Sequence, residues 1–405
     1  MNTTAATEPA EFSQPGLFPT LEQQRVLSAA LGDGERALAA YAEWRRSLRI
    51  EDNFDYQVFR LLPLLYDNLR RLGVQDSLMG RLKGTYRLAW AKSHRLFQEV
   101  LPVLDALRDA GIPVMGLKGA PLAIAYYGNV ALRPMGDVDL AVRRADIQRT
   151  LQVLGSIGFK PVHPINDDAL HYAHALPLRA DDGRELDLHW DLVFDCGPAA
   201  EAAFWSTAET FEMVGHHLQM PNPTMMLMHT LIHGMRWNLE PPVRWVPDAM
   251  QVMRQRPADI DWHSFVAFAR DYRLTHRVGI ALRYLRSHFD APVPESVIVM
   301  LQTHPRDWLQ RIEERTILRN HDDIYNTVLG PLALALARFG RRAPPGGRVT
   351  WLFGFLEYLR YSWGRKRIRD LVPFVLYGIY SRLVRRPLHA LFAHRANRPH
   401  RPHVG

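Results

Sequence analysis

The sequence predicts an α+β fold, a small mixed sheet flanked by N-terminal and C-terminal helical regions. Three observations predict it. Apolar residues recur at three- and four-residue spacing between Leu21 and Ala110, as in amphipathic helices. From Ile112 the texture changes to short apolar runs punctuated by glycine turns. From about residue 200 helical patterning returns and continues to the end. The organisation expected is a polar lead (1–18), a helical region (19–110), an α/β core (111–195), a helical region packing on that core (196–290) and a basic helical region (291–405). At 405 residues, 47% of them apolar, the chain can bury a large core.

Each element has a local reason. Leu61, Leu62, Leu64 and Leu65, then Phe97, Val100, Leu101, Val103, Leu104 and Leu107, carry the first helical stretch, which DAGIP at 109–113 stops. IPVMGLKG (112–119) reads as a strand ending in a glycine turn, and APLAIAYYG (120–128) as a short helix. Val138 to Val142 reads as a strand that puts Asp137 and Asp139 on one face. RADIQRTLQVLGSIG (144–158) reads as an amphipathic helix closed by Gly158, and FKPVH begins another strand. Two alternating runs around Asp181-Asp182-Gly183 predict a hairpin. Its second arm sets Glu185, Asp187, His189 and Asp191 on one face, and Leu186, Leu188 and Trp190 on the other. TMMLMHTLIHGMRW (224–237) is the strongest later helix, with proline-rich breaks at 241–247 and 344–347. Asp248, after Trp245-Val246-Pro247, is expected to cap a helix N-terminus.

A formal net charge of +8 fits an anionic partner: nucleotide, nucleic acid or membrane surface. The single cysteine, Cys196, excludes an intrachain disulfide and agrees with a reducing cytoplasm. The first twenty residues have neither the basic nor the apolar segment of a signal peptide. The longest apolar run, Leu371 to Val384, falls short of a membrane span. A cytoplasmic protein, with peripheral membrane contact as an option, is the expectation.

Two aspartates in so apolar a run need solvent, a partner or a cation. On one strand face they can share Mg²⁺, which prefers carboxylate oxygens and substrate phosphates. A third carboxylate from a neighbouring strand completes a two-metal clamp for in-line phosphoryl displacement. Asp187 is the candidate, with Glu185 as the fallback. Lys118-Gly119 follows a strand and precedes a helix, where phosphate is favoured. Arg133 is a candidate for a two-hydrogen-bond grip on phosphate.

Gly-Ile-Pro-Val, LKGAPLA, YYGN, LRPMGDVDLAV, GFKP and ELDLHWDLV follow one another in order. This set resembles the uncharacterised nucleotidyltransferase family of the DNA polymerase β-like superfamily, over roughly residues 60–270. The resemblance implies a nucleotidyltransferase core that moves a nucleoside monophosphate from an NTP, with ATP the expected one, to an unidentified acceptor. Asp137 and Asp139 would hold Mg²⁺, Asp187 would be a metal ligand or the base for the acceptor hydroxyl, and Lys118 and Gly119 would contact the triphosphate. Where the wider superfamily carries Gly-Ser or Gly-Gly at the turn, this chain has Lys-Gly-Ala. That departure motivates an alternative: a catalytically degenerate member that binds a membrane surface or RNA through its basic C-terminal half, dense in arginine from Gly364 on.

His229 and His233 lie one helical turn apart, but HTLIH lacks the glutamate a zinc protease needs, so they are expected at a packed interface or lining the cleft. In the resembled family this helix packs near the catalytic unit, which makes His233 a supporting candidate. His189, on the face of Asp187, is expected just behind the metals, and Trp190 in the core.

Overall fold

The structure, a computed structural model, describes residue 12 and residues 17–48, 54–163, 167–194, 196–235, 243–317, 329–342 and 347–380. Most of the 1–18 lead, parts of both proline-rich breaks and the tail from 381 on lie outside these residues. The chain divides into two units, Met1–Arg306 and Asp307–Gly405.

The first unit opens with helices α1 (Leu21–Leu31), α2 (Gly34–Arg46), α3 (Tyr56–Phe59), α4 (Leu62–Arg71) and the long α5 (Met79–Asp109). A capping box between Thr20 and Gln23 starts α1. Trp44, Leu65 and Leu69 are wholly buried among these helices. The buried stripe of α5 includes Phe97, Val100, Val103, Leu104 and Leu107, and Gly111 takes the left-handed turn that ends it.

Seven strands form one mixed sheet in the order β3-β4-β5-β2-β1-β7-β6: β1 (Met115–Leu117), β2 (Asp139–Ala141), β3 (Phe159–Pro161), β4 (Ala175–Ala180), β5 (Glu185–His189), β6 (Glu209–Met213) and β7 (His216–Met220). The α+β reading holds. The expected hairpin is β4–β5, and Gly183 at φ 88° makes its turn. Strand β2 is shorter than its apolar run suggested and begins at Asp139, so Asp137 stands before it. One expectation is overturned: helix does not run on from about 200. The hairpin β6–β7 intervenes, and β7 pairs with β1 in parallel. Each arm buries only two apolar side chains, Phe211 and Met213, then Leu218 and Met220, and the turn is an uncharacteristic Val214-Gly215.

Between the strands lie α6 (Gly119–Pro121), running into a π-helical turn over Leu122–Tyr126, then α7 (Ile147–Ser156), α8 (Asp167–Tyr172) and α9 (Glu201–Ser206). After the sheet come α10 (Pro223–Gly234), α11 (Trp245–Gln255), α12 (Trp262–Asp271), α13 (Thr275–Phe289) and α14 (Glu295–Thr303). Helix α10 is buried almost throughout. Gly234 lets it meet α11: a Cβ there would lie 2.1 Å from Trp245 Cβ.

The second unit holds α15 (Trp308–Ile317), α16 (Leu329–Arg342), α17 (Arg348–Ser362) and α18 (Leu371–Tyr380). A buried Arg341–Glu313 pair ties α16 to α15. Among the described residues no helix is long and apolar enough to cross a membrane.

Candidate active site

The site grows out of the sheet register. Strands β2 and β5 run parallel, with Asp139 opposite Asp187 and Ala141 opposite His189. Two carboxylates 48 positions apart in the chain thus stand side by side, and Leu140 and Leu188 anchor both strands in the core on the opposite face. His189 Nε2 lies 3.0 Å from Asp139 Oδ1 and 3.1 Å from Asp187 Oδ2, while Trp190 is buried. The sequence placed His189 just behind the metals; the fold puts it between the two acids.

Lys118 follows β1 directly and reaches the same carboxylate, Nζ to Asp139 Oδ1 at 2.5 Å. Its backbone takes φ 50°, a conformation L residues rarely adopt, which aims the side chain across the antiparallel neighbour β2. Gly119 follows where space is short: a Cβ would stand 2.8 Å from Met135 Sδ and 3.2 Å from Arg133 Nη1, so either side chain would have to shift.

Burial raises the Asp139 carboxyl, but His189 and Lys118 outweigh it and hold the group well below the usual range. Asp187 is likewise lowered, burial being offset mainly by the His189 hydrogen bond. Asp137 goes the other way: burial of its carboxyl, then repulsion from Asp139, raise it, although the residue as a whole is exposed. Oxygens of Asp139 and Asp187 and a ring nitrogen of His189 lie within 4.8 Å of one another, a spacing that can hold a cation.

A cavity of about 310 Å³ opens beside this pair, lined by Lys118, Asp137, Asp139 and Asp187 and by Arg60, Arg133, Arg244 and Asp248. That volume lies at the lower end of ligand pockets. Two sequence expectations change here. Asp248 does not cap a helix. It lies inside α11, which begins at Trp245, and accepts from Arg133 Nε and Nη2 at 2.8 Å each and from Tyr127 Oη at 2.9 Å. The Arg133 fork, expected for phosphate, is therefore filled by a carboxylate. Only Nη1, beside Gly119, is outside that pair. Glu185 is not brought to the cavity: it is exposed and paired with Arg179 at the far end of β5.

His229 and His233 line the cavity from α10, rings stacked 6.1 Å apart. Burial, then the charge of Lys118, push His229 down to about 3. A histidine lowered in the fold stays neutral while the unfolded chain takes a proton. Its contribution is therefore complete above pH about 6.5 and is lost as pH falls toward 3. Between pH 6.5 and pH 5 the wild type should lose about 2 kcal/mol of unfolding free energy that a His229→Gln variant keeps. Urea melts across that range check it, and equal slopes would rule it out.

Sequence reasoning missed Arg60, Thr230, Arg244 and Trp245, all on the cavity wall. Thr230 stands inside HTLIH and Trp245 just before Val246-Pro247-Asp248, but no local spacing marks any of the four as a cavity residue.

Paired carboxylates under a cation-lined cavity suit a divalent ion and a phosphate ligand. Residues 56–290, more than half the chain, match the family described as uncharacterised nucleotidyltransferase, and the chain belongs to that family. No curated protein and no solved structure matches it.

Proposed function

We propose that this chain is a Mg²⁺-dependent nucleotidyltransferase that transfers a nucleoside monophosphate from an NTP to an acceptor hydroxyl. The observation that carries this reading is the β2–β5 register, which pairs Asp139 with Asp187 in the cavity lining of a member of a nucleotidyltransferase family. The donor set fits: Mg²⁺ takes carboxylate oxygens, and Asp137, Asp139 and Asp187 supply them around one cavity. His189 offers nitrogen, a poorer ligand for so hard an ion, and serves as hydrogen-bond donor that orients both acids. When bound, Mg²⁺ would neutralise the phosphates and stabilise the charge that develops on the oxygens.

In the reaction the acceptor oxygen bonds to the α-phosphorus. The α–β bridging bond breaks, its electron pair leaves with pyrophosphate, and the acceptor proton passes to Asp187 or to solvent. Lys118 and Gly119, beside the acids, are the proposed contacts to the α-phosphate end of the triphosphate. Arg133, tied to Asp248, positions the loop that carries Asp137. ATP is the expected donor, and each of the four NTPs is worth testing.

A second reading has one observation behind it. In α18, Val372, Phe374, Leu376 and Tyr377 are exposed next to Arg365, Lys366, Arg367 and Arg369. That combination suits an anionic lipid surface better than RNA, and is what a degenerate member working by docking would carry. The basic stretch beyond 380 lies outside the described residues.

Isothermal titration with each NTP, with and without Mg²⁺, tests the first reading against the second. Mg²⁺-dependent binding that disappears in Asp137→Ala/Asp139→Ala is the expected outcome. Binding to none of the NTPs would reject the enzyme and favour the docking protein.

A further inference from the structure

Four cations and four carboxylates line the cavity, and they are not evenly matched. Lys118 pairs with Asp139 and Arg133 with Asp248. Arg60 and Arg244 have no carboxylate partner among the described residues. Arg60 reaches the cavity from the end of α3, half-buried over the ring of Tyr56 at 5.3 Å. Arg244 spends one nitrogen, Nη1, on the Pro134 carbonyl at 2.6 Å, and its Nε is shielded from solvent without any partner.

Unsatisfied buried donors are costly, and an unpaired buried guanidinium more so. Burial, then repulsion from Arg133 and Arg60, push Arg244 down to about 9, which is how a cation behaves when its anion is missing. Two guanidinium groups without a carboxylate partner beside one cavity are the pattern of a site completed by an anionic ligand.

We infer that Arg60 and Arg244 form a subsite for the polyphosphate end of the nucleotide: the β- and γ-phosphoryl groups of the substrate, and pyrophosphate as it leaves. This rests on the nucleotidyltransferase reading and gives the nucleotide a direction. The α-phosphate faces the acids, and the tail faces the helical wall. Guanidinium forks match phosphoryl oxygens. The subsite is assembled from the end of α3 and the start of α11, so the helices before β1 supply part of the substrate site.

The test uses the full chain and inorganic tripolyphosphate, titrated calorimetrically without divalent ions, with NTP as competitor. The wild type should bind tripolyphosphate, and NTP should displace it. Arg60→Ala and Arg244→Met should each weaken binding at least tenfold, and Arg244→Lys less. Because Arg244→Met removes an orphaned charge, its melting temperature without ligand should not fall. A wall arginine with only a structural role would instead lower melting and leave affinity unchanged. If Arg244→Met does not fold, the half-buried Arg60→Ala decides the question. Unaltered affinity in a folded variant, no binding by the wild type, or tripolyphosphate that NTP cannot displace would overturn the subsite; the last would assign the wall to a different phosphorylated ligand. Omitting divalent ions keeps this result separate from the aspartate test, so either can fail alone.

Discussion

Asp139→Asn should cut turnover by about 10³-fold while the protein stays folded. Asp139 is the residue on which the site converges. It accepts from Lys118 and His189 and lies beside Asp187 in the sheet. Asparagine keeps the shape and one acceptor oxygen, so the local hydrogen bonds persist. The charge that would hold the cation is gone, and Lys118 and His189 lose their counter-ion. Stability should drop more at pH 6 than at pH 8. Part of what Asp139 contributes is its raising of His189, and a histidine raised in the fold gives that contribution in full below about 6.5 and loses it as pH rises through the folded value. Single-turnover rates and urea melts at three pH values check both halves. Turnover within tenfold of wild type would remove Asp139 from the chemistry.

The second large effect concerns Arg133 and Asp248. Both side chains are nearly inaccessible, at 7% and 6%, and they meet through two hydrogen bonds. Arg133→Met leaves a buried carboxylate with Tyr127 as its remaining partner, which should cost about 3–5 kcal/mol. Replacing both, Arg133→Met with Asp248→Leu, removes the stranded charge and should recover most of the loss. A double-mutant cycle read by urea melts measures the coupling. A single variant that costs less than about 1 kcal/mol would mean the pair is dispensable. The pair joins the loop after the π-helical turn to α11, across 115 residues of chain. Its loss should therefore also loosen the segment that carries Asp137, and weaken NTP binding before it weakens the chemical step.

What the sequence determined by itself is local. The aspartates two apart, the Lys-Gly turn, the alternation of Glu185 to Trp190 and the turn at Gly183 each follow from neighbours in the chain. Strand pleat and turn chemistry act over two to five residues, so such features can be read without a fold. The ordered motifs also carried the family, which the match over 56–290 bears out. Helical periodicity marked α5 and α10 because long amphipathic or apolar runs repeat their signal.

What only the tertiary structure decided is pairing. Hairpin β6–β7 was missed because two buried residues per arm are too few to distinguish period two from period 3.6. Arg133 looked like a phosphate ligand until α11 delivered Asp248 to it, and Asp248 looked like a cap until its carboxylate was seen turned inward. His189 could be placed on a face, but not between two acids, until the parallel β2–β5 register was known. Arg60 and Arg244 share one cavity wall although 184 residues separate them. A buried charge is defined by whether an opposite charge faces it, and that depends on which distant segments pack together. No spacing along the chain encodes it.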